Sequence, residues 1–237
     1  MHKGEEYYQS TKVAKTYDNK RYSGHGGQHI HHTEIDAYLE LLPDDLEGKK
    51  ILDVATGTGI LALELARRGA DVTACDISEE MIEEARNKAE EEDLDIEFDV
   101  ADSKDLPYTS DEFDIVTAKR FLHVVPNHEP YFSEMQRVAQ KSVVYDYFNF
   151  WSLRLLYDKL LPMGSYLHRP SKVKKMIYCF LDVKSVTEIR RHPVPYGAMR
   201  GGDSTLTRIL TEIDRAISEK TNLLNSVVYV RADLWKK

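Results

Sequence analysis

Between residues 49 and 148 the chain alternates short apolar runs with longer amphipathic ones, and that rhythm restricts the fold more than any other feature of the sequence. KKILDVA (49–55) has the pattern of a buried strand bounded by Gly48 and Gly57. LALELARR (61–68) has helical spacing, with Gly69 just past its end, where a glycine suits a helix C-terminus. ADVTACD (70–76) predicts a second strand. Ser78 is placed to cap a helix over SEEMIEEARNKAEEE, whose first-turn acids suit the helix dipole. DIEFDVA (95–101) and FDIVTA (113–118) predict strands three and four, HEPYFSEMQRVAQ (128–140) a helix and KSVVYDYF (141–148) strand five. Strands separated by helices in this way call for a parallel sheet covered on both faces.

After Phe150 the rhythm changes. WSLRLLYDKLL (151–161) and SKVKKMIYCF (171–180) predict two helices joined by PMGSYLHRP, and DVKSVTEIRR (182–191) a strand. DSTLTRILTEIDRAISEK (203–220) predicts a helix with Leu206, Ile209, Leu210, Ile213 and Ile217 on one face, and SVVYVRADLW (226–235) a last strand. The expectation is one α/β domain over residues 1–237, a seven-stranded mixed sheet with an antiparallel end. Upstream, Ile35, Tyr38, Leu39 and Leu42 lie at helical spacing and Pro43 closes the segment; before them stands the glycine- and histidine-rich SGHGGQHIHH.

Composition narrows the class. Cys75 and Cys179 are the two cysteines, too few for a disulfide framework and without a zinc-type spacing. No apolar run reaches the ~18–20 residues of a membrane span, and the first twenty residues are too polar for a secretory leader, so a cytoplasmic location is expected. The net charge of −8 is unevenly spread: residues 1–120 hold 14 Lys and Arg against 29 Asp and Glu, residues 121–237 hold 18 against 11. An acidic chain is a poor general binder of nucleic acid, and the basic second half fits either solvated helix faces or an anionic surface.

The chemistry sits in the turn after the first strand, Asp53-Val54-Ala55-Thr56-Gly57-Thr58-Gly59. Its glycines permit a tight turn and close approach of a ligand to the backbone. A dinucleotide fingerprint would continue with a glycine at 62, where the tolerated Ala62 stands, and no lysine follows to make a phosphate-cradling loop. Asp53 beside this turn would repel a pyrophosphate but not an ammonium or sulfonium. Asp76 closes the second strand, at the spacing from the turn where a carboxylate meets ribose hydroxyls in nucleotide-binding α/β folds. Asp102 follows the third strand, able to accept from an exocyclic amine such as that of adenine. Each could be a plain loop acid; together, at the carboxyl ends of consecutive strands, they describe one crevice for a cationic adenosyl ligand.

ILDVATGTGILALELARRGADVTACDISEEMIEEAR, FDVADSKDLPYTSDEFDIVTAKRFLHVV and FSEMQRVAQKSVVYDYF together resemble the class I S-adenosylmethionine-dependent methyltransferases. The likeness is nearest to their small-molecule and quinone methyltransferase group, with its D-x-A-x-G-T-G turn and LHxxP segment after strand four, and runs over about residues 35–148. It implies a Rossmann-like α/β fold, S-adenosyl-L-methionine as cofactor and S-adenosyl-L-homocysteine as product. Carried over, Asp53 and the backbone from Ala55 through Thr56 and Gly57 to Gly59 would hold the methionine moiety. Asp76 would bind the ribose, Ile77 and Met81 would pack on the adenine, and Asp102 with Ser103 would take its amine. Lys119 matches a position whose backbone touches the methionine amino group, and Tyr17, Arg21 and Tyr22 are candidates for closing an N-terminal lid over residues 1–34. The family's Pro-Gly-Gly turn before strand five is replaced by Ala139-Gln140-Lys141-Ser142.

Methyl transfer is an in-line displacement for which the protein aligns the groups and excludes water, and a base is needed only if the acceptor must lose a proton. His123 is the candidate base, with a packing role as its alternative, and Tyr22 is the second catalytic candidate. His25, His29, His31 and His32 read as part of a flexible lid hinged at Gly24, Gly26 and Gly27; a metal there would need partners such as Glu34, and none is expected. Cys75 reads as core. The acceptor wall is expected from the lid, the segment after strand five and a helical insertion over 151–180. Tyr145, Tyr147, Phe148, Phe150, Trp151, Tyr157, Tyr166 and Tyr178 suggest a pocket there for a flat or apolar small molecule, unless packing absorbs them. His168, Arg169, Lys172, Lys174 and Lys175 form a basic patch, either an anion site or a solvated helix start. A small-molecule acceptor is the expected partner, and a homodimer is left open. A NAD-dependent oxidoreductase on a related fold, or a catalytically silent S-adenosylmethionine-binding partner protein, are the competing readings; RNA methylation is disfavoured by the acidic first half.

Overall fold

The computed structural model describes residues 10–125, 127–160, 165–199, 203–218 and 224–235. Two helices, α1 (Thr11–Tyr22) and α2 (Gly24–Leu41), lead into β1 (Lys50–Val54), α3 (Ile60–Ala66), β2 (Asp71–Asp76), α4 (Glu79–Glu91), β3 (Ile96–Val100), β4 (Phe113–Ala118), α5 (Glu129–Val138) and β5 (Ala139–Phe148). There follow α6 (Leu153–Leu160), α7 (Pro170–Phe180), β6 (Val183–Arg191), the short α8 (Tyr196–Met199), α9 (Thr205–Ser218) and β7 (Val227–Leu234). The seven strands form one sheet in the order β3-β2-β1-β4-β5-β7-β6. It is parallel from β3 to β5, while β7 runs antiparallel to both β5 and β6. From β1 the chain steps outward to β2 and β3 and then returns to β4 on the other side of β1, which opens a crevice at the carboxyl ends of these strands.

Alternation along the strands fills two apolar layers. Leu52, Val116, Val143 and Tyr145 face α5 and α7, whereas Ile51, Val72, Ile115 and Val144 face α2 and α3. The helix starts follow local chemistry: the Ser78 hydroxyl accepts from the Met81 N–H at 3.2 Å, capping α4.

Three expectations change. The glycine- and histidine-rich run is not a loop: Gly24–Leu41 is one continuous helix that holds Gly26 and Gly27 within it, while Gly24, with φ 68°, stands at its junction with α1. Its glycines serve close packing: a Cβ on Gly26 would lie 2.0 Å from the Met199 carbonyl oxygen, and one on Gly27 would lie 2.4 Å from the Tyr22 carbonyl carbon. Second, α9 lies with its polar side inward. Thr207, Thr211, Asp214 and Ser218 are buried, while Leu206, Ile209, Ile213 and Ile217 are exposed.

Third, among the described residues the aromatic surplus does not converge on a pocket: neither Phe150 nor any of the others lines the cleft. Tyr145, Tyr147 and Phe148 are core, Trp151, Tyr166 and Tyr178 are exposed, and the side chain of Tyr157 lies outside the described residues. Helix α7 buries Val173 and Ile177 in the layer it shares with α5, so the 151–180 insertion packs on the sheet's flank. His168 is buried with its ring 4.5 Å from that of His128, whereas Arg169, Lys172, Lys174 and Lys175 are exposed, as at a solvated helix start.

Candidate active site

Strand β1 ends at Val54, and in the next five residues Ala55, Gly57 and Gly59 all take positive φ (53°, 57° and 78°). Glycine meets this at little cost; Ala55 does so under strain, held by its neighbours. The Thr56 N–H donates to the Cys75 carbonyl at 3.0 Å and the Gly57 N–H to Asp76 Oδ2 at 2.9 Å, tying the turn to the end of β2. A Cβ on Gly57 would meet nothing within 4 Å, so this glycine faces open space; one on Gly59 would lie 2.9 Å from Ala85 Cβ, so this one lets α4 approach.

Asp53 stands under the turn rather than in the cleft above it. Its carboxylate is buried and accepts the Thr56 hydroxyl at 2.7 Å and the Thr117 hydroxyl at 2.6 Å. Burial pushes its pKa up to about 6 against the pull of those two hydroxyls. The expectation that Asp53 presents its charge beside Asp76 and Asp102 is therefore corrected: it pins the turn to β4. Gly59 likewise stays off the cleft surface.

Along one side of the cleft, Ala55, Thr56 and Gly57 are followed by Asp76, Ile77, Met81, Asp102 and Ser103. Asp76 accepts the Ser78 N–H on its other oxygen at 2.9 Å; burial raises its pKa and the backbone donors oppose that. Asp102 is about half exposed and accepts the Lys104 N–H at 3.0 Å, while Ile77 keeps 44% of its surface open above the crevice. The far wall comes from the segment after β4, where Phe121, Val124 and Val125 stand at i, i+3 and i+4 and meet Tyr131 of α5. His123, the candidate base, stands in this segment among apolar neighbours whose helical spacing is visible in the sequence. His123 is 5% exposed with its ring 4.5 Å from that of Phe148, and it does not line the cleft. Among the described residues no histidine does.

Helix α1 roofs the cleft with Tyr17 and Tyr22. It is held by Asp18, which accepts the Thr58 hydroxyl at 2.7 Å and pairs with Lys88. Arg21 does not line the cleft; its guanidinium donates to the Tyr17 hydroxyl and lies over the Tyr17 and Tyr22 rings. Under Tyr22 lies a buried ionic cluster. Glu34 receives Lys119 Nζ at 2.9 Å, Arg120 Nη1 at 2.6 Å and the Tyr22 hydroxyl at 3.1 Å, and Lys119 also donates to the Tyr22 oxygen at 3.0 Å. Burial alone would raise the Glu34 pKa, but Lys119 and Arg21 hold it down at about 2. Burial would lower that of Lys119, and Glu34 outweighs it. Burial and Glu34 push the Tyr22 phenol to about 12. Glu34, considered from sequence only as a possible metal partner for the histidine run, instead anchors these cations.

Residues 51–142 match the family profile of a methyltransferase domain. An 82-residue stretch is 42% identical to the ubiquinone biosynthesis O-methyltransferase of Coxiella burnetii, covering 35% of each chain; this chain thus spans about a third of the length of the relatives it matches. Magnesium protoporphyrin IX methyltransferase from Synechocystis with bound S-adenosylhomocysteine superposes with a TM-score of 0.67, at 19% identity over 97% of both chains. Geranyl diphosphate C-methyltransferase of Streptomyces coelicolor, also solved with S-adenosyl-L-homocysteine, gives 0.62 at 17% identity over 86% of this chain and 80% of its own.

Proposed function

We propose that this chain, a class I methyltransferase in fold with a methyltransferase domain at residues 51–142, transfers the methyl group of S-adenosyl-L-methionine to a small aromatic or apolar acceptor. The observation that carries the reading is the run of Asp76, Ile77, Met81, Asp102 and Ser103 along the cleft from a glycine turn whose Gly57 faces open space. An ionisable acceptor for ribose hydroxyls, two apolar side chains for a purine face and a second carboxylate for its amine follow in the order that an adenosyl group requires. The turn at Ala55, Thr56 and Gly57 is left for the methionine moiety, with Asp53 and Gly59 supporting it from beneath. The Lys119 ammonium is committed to Glu34 and Tyr22, so the group this residue offers a ligand is its backbone.

When bound, S-adenosyl-L-methionine supplies a methyl group already activated on a sulfonium. The work left to the chain is to bind, align and exclude water. Tyr17 and Tyr22 cover the cleft and Phe121, Val124, Val125 and Tyr131 wall it, which favours a flat or apolar acceptor. Tyr22, with its phenol raised to about 12, holds its proton at neutral pH and orients by hydrogen bonding rather than acting as a base. With His123 packed away, transfer rests on alignment.

Calorimetry with S-adenosyl-L-homocysteine tests the site. Wild-type protein is expected to bind it saturably, and Asp76→Ala to bind about tenfold or more weakly, since hydrogen bonds to a charged group contribute about 1.5–3 kcal/mol. No binding by the folded protein, or equal binding by the variant, would refute the assignment; binding of NADH instead would mark an oxidoreductase. Transfer of labelled methyl groups to candidate acceptors then addresses the activity.

A further inference from the structure

The histidine run holds one residue whose partners lie far along the chain. His29 of α2 directs Nε2 to Asp214 Oδ2 at 2.9 Å, and His192, just after β6, directs Nδ1 to the same oxygen at 3.0 Å. The three potential ligand atoms all lie within 4.8 Å of one another. The His29 side chain is 9% exposed, and those of His192 and Asp214 are fully buried. We propose that His29, His192 and Asp214 form a binding site for a divalent transition-metal ion of the zinc class, which clamps α2 to the segment after β6 and to α9.

Charge is the first argument. The Asp214 carboxylate has no solvent contact and turns one oxygen to both imidazole nitrogens, and buried charges are paired or coordinate metals. A divalent ion seated between the three atoms would set its positive charge against that carboxylate, each imidazole coordinating through the nitrogen that now faces Asp214 and carrying its proton on the other. Donor chemistry is the second: two imidazole nitrogens and one carboxylate oxygen suit zinc and its neighbours in the first transition row, with further positions left for water.

The supporting shell is the third argument. Asp214 Oδ1 accepts the Val194 N–H at 3.0 Å, which fixes the carboxylate and aims Oδ2 at the imidazoles. His192 adopts φ 62°, a region that residues other than glycine enter rarely and histidine more readily than most, and its ring meets that of Tyr196 edge to face at 4.6 Å. Strain of this kind persists where the surroundings impose it, as at ligand clamps. The inverted seating of α9 agrees: turning Asp214 inward leaves Leu206, Ile209 and Ile213 in solvent, so the contacts made by its polar side must outweigh the apolar burial it forgoes.

None of the three residues lines the proposed methyltransferase cleft, so the two readings fail separately. The full chain, stripped with a chelator, is titrated with Co2+ and Zn2+. Expected are one equivalent bound, the visible absorption of a low-coordinate Co2+ ion, its displacement by Zn2+, and a rise in melting temperature with either metal. His29→Gln, at the most accessible of the three positions, and Asp214→Asn are each expected to weaken binding by at least about 100-fold, beyond the roughly 10–100-fold that loss of a supporting group costs. The control His32→Gln is expected to bind normally, and His29→Gln to keep its affinity for S-adenosyl-L-homocysteine. Should a variant fail to fold, X-ray absorption of the wild-type Co2+ form decides by counting two imidazoles. No stoichiometric metal on the wild type, or binding equal in His29→Gln and wild type, would overturn the site and leave a hydrogen-bonded cluster.

Discussion

Asp146 illustrates how far a single carboxyl can depart from its usual behaviour beside this cleft. Its Oδ1 accepts the Tyr38 hydroxyl at 2.8 Å and the Arg120 N–H at 2.6 Å, while its buried Oδ2 has no hydrogen-bond partner among the described residues. Burial, with Glu34 adding repulsion, raises its pKa from 3.8 to about 7, although Tyr38, Lys119 and Arg21 pull the other way. A carboxyl whose folded pKa lies above its unfolded one stabilises the fold in its protonated form. That contribution is complete below about pH 4 and is lost as pH rises through about 7. Asp146→Asn keeps a carbonyl acceptor and cannot ionise. Calorimetric melting at pH 5 and pH 8 should show the variant gaining on wild type at the higher pH; a gap that stays constant would mean that Asp146 does not titrate in this range.

The glycine turn makes a contrast at the same scale. A left-handed conformation costs an L-residue about 1–2 kcal/mol, so both Gly57→Ala and Gly59→Ala carry that strain. Gly59→Ala adds a methyl 2.9 Å from Ala85 Cβ, while Gly57→Ala points one into open space. The melting temperature should fall further for Gly59→Ala, and affinity for S-adenosyl-L-homocysteine should fall further for Gly57→Ala. The reverse order would show the roles of the two glycines exchanged. From sequence the pair reads as one feature, because spacing reveals that two glycines are needed but not which neighbour each one admits.

Secondary structure is the most legible level, since strands and helices leave different periodicities: all seven strands fall in the segments expected, five of them largely buried, while the edge strands β3 and β6 are only partly covered. The misreadings are elements whose packing reverses their propensity. The run SGHGGQHIHH has two adjacent glycines and reads as a hinge, yet it is helical, and Gly26 and Gly27 stand where Met199 of α8, Thr207 of α9 and Tyr22 of α1 approach too closely for side chains. Gly26→Ala tests this at the level of the element. In an isolated helix the change would stabilise by about 1 kcal/mol. Here the added Cβ would stand 2.0 Å from the Met199 oxygen and 2.7 Å from Thr207 Cγ2, and overpacking costs about 1–3 kcal/mol. The expected net effect is a melting temperature lower by a few degrees, whereas Gln28→Ala on the exposed side of the same helix should be neutral or slightly stabilising. A Gly26→Ala protein as stable as wild type would restore the hinge reading.

Across the whole molecule, helix α2 is joined to the sheet by charge as well as by apolar contact, and the sequence does not reveal the charged part because it pairs residues far apart in the chain. Glu34 of α2 meets Lys119 and Arg120 at the carboxyl end of β4, and both cations are nearly as buried as Glu34 itself. Arg120 also lies over the rings of Phe148 and Tyr196, at 4.7 and 4.5 Å, so it cannot swing out to water without giving up those contacts. Surface ion pairs contribute little; a buried cluster stripped of Glu34 leaves its cations undercompensated, which costs about 3–5 kcal/mol. Glu34→Gln preserves shape and one acceptor, so its effect isolates the charge. A fall in melting temperature of roughly 10 °C is expected. If the loss comes from stranded cations rather than lost packing, Lys119→Met on the Glu34→Gln background should recover part of it, and the double-mutant cycle should show a coupling above about 1 kcal/mol. A Glu34→Gln protein that melts with wild type, or a cycle without coupling, would mean that water reaches the cluster and that α2 is held to the sheet by its apolar face alone.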